Sequence, residues 1–534
     1  MLPIILYNAR IYTQIPGQPW AEAVAIAQGR ITAVGRDADI LALARPETMV
    51  YDLGGALTLP GFCDSHIHFH DMAWRRGQMS LYAAASLEAL LAQVAAYLPT
   101  LPEGAWALGF GWREVDWPQP RFPTRHDLDP ITGARPALLW RTDMHAAVAN
   151  SAALAAAGVT AHTPDPPSGV IDRDAQGQPT GVLRELAINL VRRAIPQPPT
   201  AQAEAAILAV AADLNRLGIV AIHDQRMKDH HEEGPLALQR YIRLRDQGRL
   251  PLRITCNIEA GNIDHLIALG LRSGFGDEWV RLGHVKLFAD GSLGARTAWM
   301  LAPFEGEPGN TGMYLTPPAE VAAVIGKAHR HGLAISIHAI GDRANREVLD
   351  IFEETLARGS ENPPSLPHRI EHVQTIQPAD LPRLAGLGLT ASVQPIHCAD
   401  DMVNTDRLWG ARGANTYAFR DLLDGGALLA FGSDAPVADP NPWLGIHAAV
   451  TRQRVDGYPA GGWYPRQRLT VAEAVRAYTL DAAAAVGQAH QQGRIAPGYL
   501  ADLIVLDRDP FTCDPAAIPE TQVGMVMVGG RVVG

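Results

Sequence analysis

The segment Leu57-Thr-Leu-Pro-Gly-Phe-Cys-Asp-Ser-His66-Ile-His68 decides the fold, because an apolar strand pattern ends there in two histidines one residue apart. Side chains at i and i+2 of a β-strand project to the same face, so both histidines can bind one metal ion. His70 extends the alternation, and the spacing leaves open whether 66/68 or 68/70 forms the pair. The alternative to a metal-binding pair is two histidines that face the solvent.

Seven more apolar runs follow this segment and give eight candidate buried strands in all. These are residues 57–62, 219–222, 252–258, 280–288, 333–337, 369–373, 389–393 and 428–431. Helical spacing occurs between several of them, as at residues 318–331 and 344–358. The alternation predicts an α/β chain with a TIM-like (β/α)₈ barrel, whose chemistry collects at the carboxyl ends of the strands. A doubly wound open sheet is the alternative, but no glycine-rich phosphate-binding motif follows any of these strands.

The sequence pattern on either side of the predicted barrel indicates the domain organisation. Short apolar segments in residues 1–56 and 490–534 predict a small β-sandwich domain formed by both chain termini. Residues 57–489 are assigned to the barrel. Residues 70–215, between its first two strands, are too many for a simple loop, so we expect an inserted lid or subdomain there.

The amino-acid composition limits the classes of binding partner and the cellular compartment that we expect. The 534-residue chain carries a net charge of −11, with no lysine and arginine clusters, which argues against binding nucleic acid or an anionic membrane. Four dispersed cysteines fit buried thiols in a reducing compartment. No secretory leader and no apolar run of ~18 residues is found. We expect a soluble cytoplasmic protein that acts on a small-molecule substrate, and homo-oligomer formation stays open.

Polar side chains interrupt or end four later strands. Lys286 lies inside the fourth run, where burying a charged amine is unfavourable, so it needs either a carboxylate partner or modification to a carbamylated lysine. His338 and His372 follow the fifth and sixth runs, and alone each is more readily explained as a core histidine. Asp434 follows the eighth run, where a helix cap is the alternative.

Together these strand ends converge on one barrel mouth. Imidazole and carboxylate are the ligands that suit Zn²⁺ and related divalent ions, with an open position left for water. The combination therefore predicts one or two divalent metal ions, with zinc the first choice.

With these residues the sequence resembles the amidohydrolase superfamily of metal-dependent hydrolases over essentially the whole chain. Within it the chain looks like the YtcJ-like branch, which includes N-substituted formamide deformylase. The closer match rests on residues 109–112 with Trp117, 141–145 with 150–154, 285–294 and 338–342, and Met144 stands where the branch usually has glycine. The superfamily pattern Gly-Phe-x-Asp-x-His-x-His matches His66 and His68 and leaves His70 outside.

The resemblance implies a role for each candidate. His66, His68 and Asp434 would hold one metal, His338 and His372 the other, and carbamylated Lys286 would bridge them, although a mononuclear site is also possible. Asp434 would be the catalytic acid–base that moves a proton from water to the leaving nitrogen. Asp64 and Asp342 are expected to orient ligand histidines. The candidates for substrate binding are Trp112, Asp143, His145, Asp290, Arg296 and His397.

Three functions are compared. The first is hydrolysis of C–N bonds in amides, formamides or cyclic amides. The second is non-hydrolytic catalysis by the same metal site, as a lyase or isomerase, because the fold and the metal do not determine the reaction. The third is a non-catalytic scaffold, which is disfavoured because every ligand is present. A serine hydrolase is disfavoured because the chain contains no G-x-S-x-G motif.

Overall fold

Eight parallel strands form the central barrel of the chain, of which the computed structural model describes residues 2–227 and 233–533. In chain order they are β1 Phe62–Ile67, β2 Ile219–Asp224, β3 Arg253–Glu259, β4 Val280–Phe288, β5 Ile335–Ala339, β6 Arg369–His372, β7 Thr390–Val393 and β8 Leu428–Phe431. Each strand pairs in parallel with the next one along the chain. The predicted barrel is thereby confirmed.

The barrel closes between β8 and β1 through side-chain and loop contacts. The Asp64 carboxylate accepts hydrogen bonds from the amide of Ser433 at 3.0 Å, from its hydroxyl and from the amide of His66. Gly432 makes the approach possible, because a Cβ there would lie 2.4 Å from the His66 nitrogen. This closure brings Asp434 next to the histidines that follow β1.

Helices surround the barrel and alternate with its strands. Outside the inserted region and the terminal sheets they are Phe69–Arg75, Thr200–Arg216, Glu233–Asp246, Ile263–Ala268, Pro318–Arg330, Asp342–Ala357, Leu381–Gly386, Pro395–Trp409, Phe419–Asp424, Pro442–Thr451, Val471–Ala477 and Leu480–Ala484. The helices predicted at residues 318–331 and 344–358 are confirmed, with ends shifted by one or two residues.

Two sheets built from both ends of the chain form the β-sandwich. One has the order Arg30–Gly35, Ala23–Ala27, Ile4–Tyr7, Met49–Asp52. The other has the order Arg531–Val532, Val523–Val528, Leu503–Leu506, Leu57–Pro60, Arg10–Ile15, Gln18–Ala21. Apolar side chains of the two sheets share one core that includes Leu6, Ile11, Leu503 and Met527.

Two of the predicted strands are each divided between different sheets, which corrects their boundaries. The run at residues 57–62 splits at Gly61: Leu57–Pro60 pairs with Leu503–Leu506 in the sandwich, and β1 begins at Phe62. A Cβ on Gly61 would lie 2.5 Å from the Val220 side chain, so only glycine fits this junction. Residues 4–12, the first of the short apolar segments from which the β-sandwich is predicted, split in the same way at Asn8, whose φ is 51°.

The inserted region has its own mixed sheet and small helices. Its strands, in sheet order, are Gly169–Arg173, Pro179–Glu185, Ala146–Ala149, Ala137–Arg141, Ala107–Trp112 and Met79–Ser80, and its helices are Leu87–Tyr97, Arg125–Thr132, Ser151–Ala156 and Ile188–Arg192. The helix Thr200–Arg216 packs Ile207, Val210 and Leu214 into the barrel core, so the barrel resumes before residue 215.

No helix in residues 2–227 and 233–533 has both the length and the apolar composition needed to cross a membrane. Cys63, Cys256 and Cys398 are buried free thiols, as expected, and Cys513 is half-buried.

Candidate metal centre and active-site cavity

His66 and His68 reach the barrel mouth from the end of β1, and His70 does not. The helix Phe69–Arg75 begins directly after His68, which ends the strand alternation at that residue. The His70 ring turns away toward helix Glu233–Asp246, where its Nε2 lies 2.9 Å from Nη1 of Arg240. The geometry therefore selects the pair 66/68.

The candidate metal ligands form one buried cluster. His66, His372 and Asp434 each offer a ligand atom, and these three atoms lie within 4.8 Å of one another. Nε2 of His66 and Nε2 of His68 are each 3.2 Å from Oδ1 of Asp434. The His338 and His372 rings lie 4.5 Å apart, centroid to centroid. The five side chains from β1, β5, β6 and β8 thus converge, as the sequence predicted.

Hydrogen bonds behind three of the rings fix which nitrogen faces the cluster. Nδ1 of His66 lies 2.6 Å from Oε2 of Glu371, and Nδ1 of His372 lies 2.8 Å from Oε1 of Gln394. Nε2 of His338 donates to the Gly291 carbonyl at 3.0 Å. Each ring therefore presents its other nitrogen to the centre, which is how metal-binding histidines are commonly oriented.

Asp64 and Asp342 do not play the orienting role expected of them. Asp64 closes the barrel, as described above, and its bond to His66 is to the backbone amide. Asp342 accepts hydrogen bonds from the amide of Leu301 and from the side chain of Gln377. Proximity along the chain misidentified these partners, because the true ones come from other strands.

Glu371 is a functional candidate that the sequence analysis overlooked. It is fully buried next to Arg369, with Oε1 2.6 Å from Nε of the guanidinium, and it accepts a hydrogen bond from the Ser336 hydroxyl. Although burial raises the pKa of the Glu371 carboxyl, Arg369 and His66 lower it well below its usual range. The signal was available, because two charged residues at i and i+2 of a buried strand must face a partner.

The protonation states of His338, His372 and Asp434 suit metal binding, whereas for His66 burial lowers the pKa but Glu371 and Asp434 outweigh it and raise the value. Burial lowers the pKa of His338 and of His372 well below the usual range, so both rings are neutral at pH 7, the form that binds metals. Burial raises the pKa of the Asp434 carboxyl, but His66 opposes this and brings it well below its usual value. His372 and Asp434 also adopt positive φ angles of 72° and 60°, a strained backbone of the kind that collects at functional sites.

Lys286 projects from β4 into a cavity over the cluster, which is described below. Among the described residues it has no ion-pair partner. Among the described residues, no carboxylate oxygen lies within 4.0 Å of its Nζ, and the amine lies 4.8 Å from the Phe288 ring centroid. Burial lowers the pKa of the amine to about 8, although the carboxylates of Glu371 and Asp434 act to raise it. The salt-bridge interpretation of this lysine is therefore not supported.

A cavity of about 860 Å³ lies over the cluster, between the barrel mouth and the inserted region. Its lining includes all six predicted metal-centre residues: His66, His68, Lys286, His338, His372 and Asp434. Of the predicted substrate contacts, Asp143, His145 and His397 also line it. Nε2 of His397 lies 3.9 Å from Oδ2 of Asp434, which places this ring directly beside the cluster.

Three of the predicted substrate contacts do not line this cavity. Trp112 is buried in the core of the inserted region, where Nε1 donates to the Leu139 carbonyl. Asp290 is fully buried, and its carboxylate accepts from the amides of Trp299, Ile340 and Gly341. Arg296 is exposed and pairs with Glu307.

His145 is held at the cavity wall by residues that the sequence did not single out. Its Nδ1 lies 2.8 Å from Oε2 of Glu185, and Oε1 of Glu185 accepts from the Thr297 hydroxyl at 2.9 Å. Burial lowers the pKa of His145, but Glu185 outweighs it and raises the value to about 9. Met144 has a φ of 62°, a conformation that glycine adopts easily, which explains why glycine suits this position.

Comparison with known proteins agrees with this architecture. Residues 49–534 match the amidohydrolase family. The chain is 32% identical to YtcJ of Bacillus subtilis (strain 168), a candidate amidohydrolase, over 99% of both chains. It is 29% identical to N-substituted formamide deformylase of Arthrobacter pascens over 99% of this chain and 98% of that one.

A solved structure has the same fold. It is an uncharacterized metal-dependent hydrolase from Pyrococcus horikoshii OT3, 28% identical, with a TM-score of 0.77 over 96% of this chain and 99% of that one. The barrel, the residues at its mouth and these matches lead to one conclusion. The chain belongs to the amidohydrolase family.

Proposed function

We propose that this chain is a metal-dependent hydrolase of C–N bonds in small amides, formamides or cyclic amides, with Asp434 as its general base. Membership of the amidohydrolase family supports a hydrolase. The observation that carries the proposal is the buried cluster of His66, His372 and Asp434, whose ligand atoms lie within 4.8 Å of one another. The name of the Arthrobacter relative, a formamide deformylase, supports the choice of bond.

The residues present fit a divalent cation. Nε2 of His66, the nitrogen that faces Asp434, is buried without a hydrogen-bond partner among the described residues, which is unfavourable unless a ligand binds there. His66, His68 and Asp434 would hold one ion, and His338 and His372 a second. When bound, a divalent cation such as Zn²⁺ polarises the scissile carbonyl and lowers the pKa of water toward ~7.

Asp434 is placed to move the proton. It remains a carboxylate at neutral pH because His66 holds its pKa low. It can therefore accept a proton from water and deliver it to the leaving nitrogen, a step that contributes roughly 10²–10⁴-fold to the rate. His397, whose Nε2 is 3.9 Å from Oδ2 of Asp434, lies beside this carboxylate and lines the cavity.

Lys286 is proposed to be carbamylated. Its amine is buried, has a pKa of about 8 and has no carboxylate within 4.0 Å among the described residues, so a neutral fraction is available at pH 7 to react with CO₂. The reaction forms an N–C bond, releases one proton and gives a carboxylate that could bridge two cations. Incubation with ¹³C-bicarbonate should give a carbamate carbon signal in the wild type that Lys286→Met lacks, and no signal in either protein would contradict the modification.

The enzymatic proposal is tested on the purified full chain. Elemental analysis should find one or two divalent metals per chain, and the metal-loaded protein should hydrolyse members of a panel of N-substituted formamides, N-acyl amines and cyclic imides. Removing metal with a chelator should abolish turnover, and adding Zn²⁺ should restore it. Full activity of a metal-free protein would overturn the proposal, as would a loaded protein inactive on the whole panel.

A further inference from the structure

Arg192 lines the same cavity, and its charge is weakly satisfied. It ends the short helix Ile188–Arg192 of the inserted region, and its side chain is 19% exposed. No hydrogen bond joins its guanidinium to another described residue, and the group lies 5.3 Å from the ring centroid of Trp74. The nearest carboxylate oxygens are Oδ1 of Asp71 at 3.6 Å and Oε2 of Glu233 at 3.8 Å. Both distances are too long for a direct hydrogen bond, so the guanidinium retains donors for another anion.

A second arginine lies next to it. Arg75 is buried, bonds through Nε to Oδ2 of Asp71, and packs 5.2 Å from the ring centroids of Phe110 and Trp140. Asp71 therefore stands between two guanidinium groups. Glu233 also lies 3.8 Å from Arg226, whose close partner is Asp224 at 2.5 Å. Arg75 and Arg192 both line the cavity, so a negative group that enters it can reach their guanidinium groups.

The helix Phe69–Arg75 sets the distance between Arg75 and the candidate metal centre. Arg75 is the last residue of helix Phe69–Arg75, which starts directly after His68, so a rise of ~1.5 Å per residue places its Cα about 10 Å along the axis. The apolar side chains of Met72 and Trp140 line the cavity near this helix. A ligand that reaches from the cluster to Arg192 needs an apolar body several bonds long.

We propose that Arg192, supported by Arg75, binds a carboxylate of the substrate. The preferred substrates are then amides whose apolar body ends in a carboxylate several bonds away from the scissile C–N bond. Arginine suits this task because its planar fork of N–H groups matches a carboxylate and keeps its charge at every physiological pH. The inference deepens the proposed function, on which it rests for the reaction but not for the binding.

The test compares two formamides that differ only at one end, 6-formamidohexanoate and N-hexylformamide. The wild-type KM should be about ten- to hundredfold lower for the carboxylate, the range expected for hydrogen bonds to a charged group. Arg192→Met should raise the KM of the carboxylate by that factor and leave its kcat and the KM of N-hexylformamide unchanged. Arg192→Lys should restore part of the preference.

Arg193→Met is the matched control, because it removes the same charge from the adjacent, exposed position. It should keep the full preference for the carboxylate. Equal KM values for the two compounds in the wild type would overturn the proposal. An equal rise for both compounds in Arg192→Met would overturn it too, because that result indicates a structural role.

Failure of the proposed function can be told apart from failure of the subsite. If neither compound is hydrolysed, the same pair is titrated calorimetrically into wild type, Arg192→Met and Arg193→Met. Tighter binding of the carboxylate that only Arg192→Met loses would support the subsite without the activity. Equal binding of both compounds by the wild type would overturn the subsite.

Discussion

Nδ1 of His66 lies 2.6 Å from Oε2 of Glu371, and this contact joins the ends of β1 and β6 beneath the candidate metal centre. It leaves Nε2 of His66 directed at Asp434. Because Arg369 pairs with the same carboxylate on β6, the orientation of the imidazole depends on a buried ion pair. Metal affinity and barrel stability should therefore change together when Glu371 is replaced.

Glu371→Gln should weaken metal binding by about 10- to 100-fold, because the amide orients His66 less firmly and makes the ring less basic. It should also lower the free energy of unfolding by about 3–5 kcal/mol, because Arg369 loses its buried partner. Competition with a chelator, performed well below the melting temperature, measures the first effect. The exposed Glu353→Gln is the control, and unchanged metal affinity in Glu371→Gln would contradict the positioning role.

Asp434→Asn should reduce kcat by at least ~10²-fold, because a carboxamide cannot accept the proton from water. The melting temperature should change little, since the amide keeps the size of the side chain. Steady-state kinetics and thermal denaturation, with the exposed Asp424→Asn as control, measure both quantities. A variant that retains near-wild-type turnover would remove Asp434 from its role.

Trp112→Phe and His145→Gln should separate stability from catalysis. The first variant leaves the Leu139 carbonyl without its donor in a buried core, so it should lower the free energy of unfolding by about 1–3 kcal/mol while KM stays the same. The second loses a cavity-facing charged group and should lower kcat/KM by about tenfold or more with little loss of stability. The reverse pattern would show that the cavity has been assigned to the wrong residues.

The stability of the inserted region should depend on pH through Asp127. Its carboxylate bonds to Arg121 and caps the helix Arg125–Thr132, and the guanidinium lowers its pKa to about 2. Because the folded pKa is below the unfolded value near 3.8, the contribution is complete above about pH 5 and is lost as the pH falls through about 2. Arg121 is half-exposed, which limits the contribution to about 1 kcal/mol.

Urea unfolding of the wild type and Asp127→Asn measures this difference. The two proteins should differ at pH 7 and approach each other at pH 3. A difference in unfolding free energy that stays constant over this range would exclude Asp127 as its source.

The sequence predicted the strand ends well because burial and side-chain alternation are local properties of a strand. It missed the breaks at Asn8 and Gly61, because both runs remain apolar on either side and only the three-dimensional path assigns each half to a different sheet. The partners of the histidines were missed for a similar reason. Glu371 and Gln394 come from other strands, so no spacing along the chain connects them to His66 and His372.

The residues around the cavity were the hardest to predict. Asp290 follows β4 much as Asp434 follows β8, yet its carboxylate binds backbone amides at residues 299, 340 and 341 that the sequence does not place nearby. Arg192 carried no sequence signal, because an Arg-Arg pair near the end of a short helix resembles any charged surface segment. Its position matters only once the inserted region is folded over the barrel mouth.

The junction at Gly61 sets an order in time for assembly of the site. The strand Leu57–Pro60, which leads directly into β1 and its histidines, is held on one side by Leu503–Leu506. During synthesis this neighbour leaves the ribosome more than 400 residues later. His66 and His68, the first two candidate metal ligands, therefore gain this support only after more than 400 further residues have been made, and a nascent chain should bind metal only after that point.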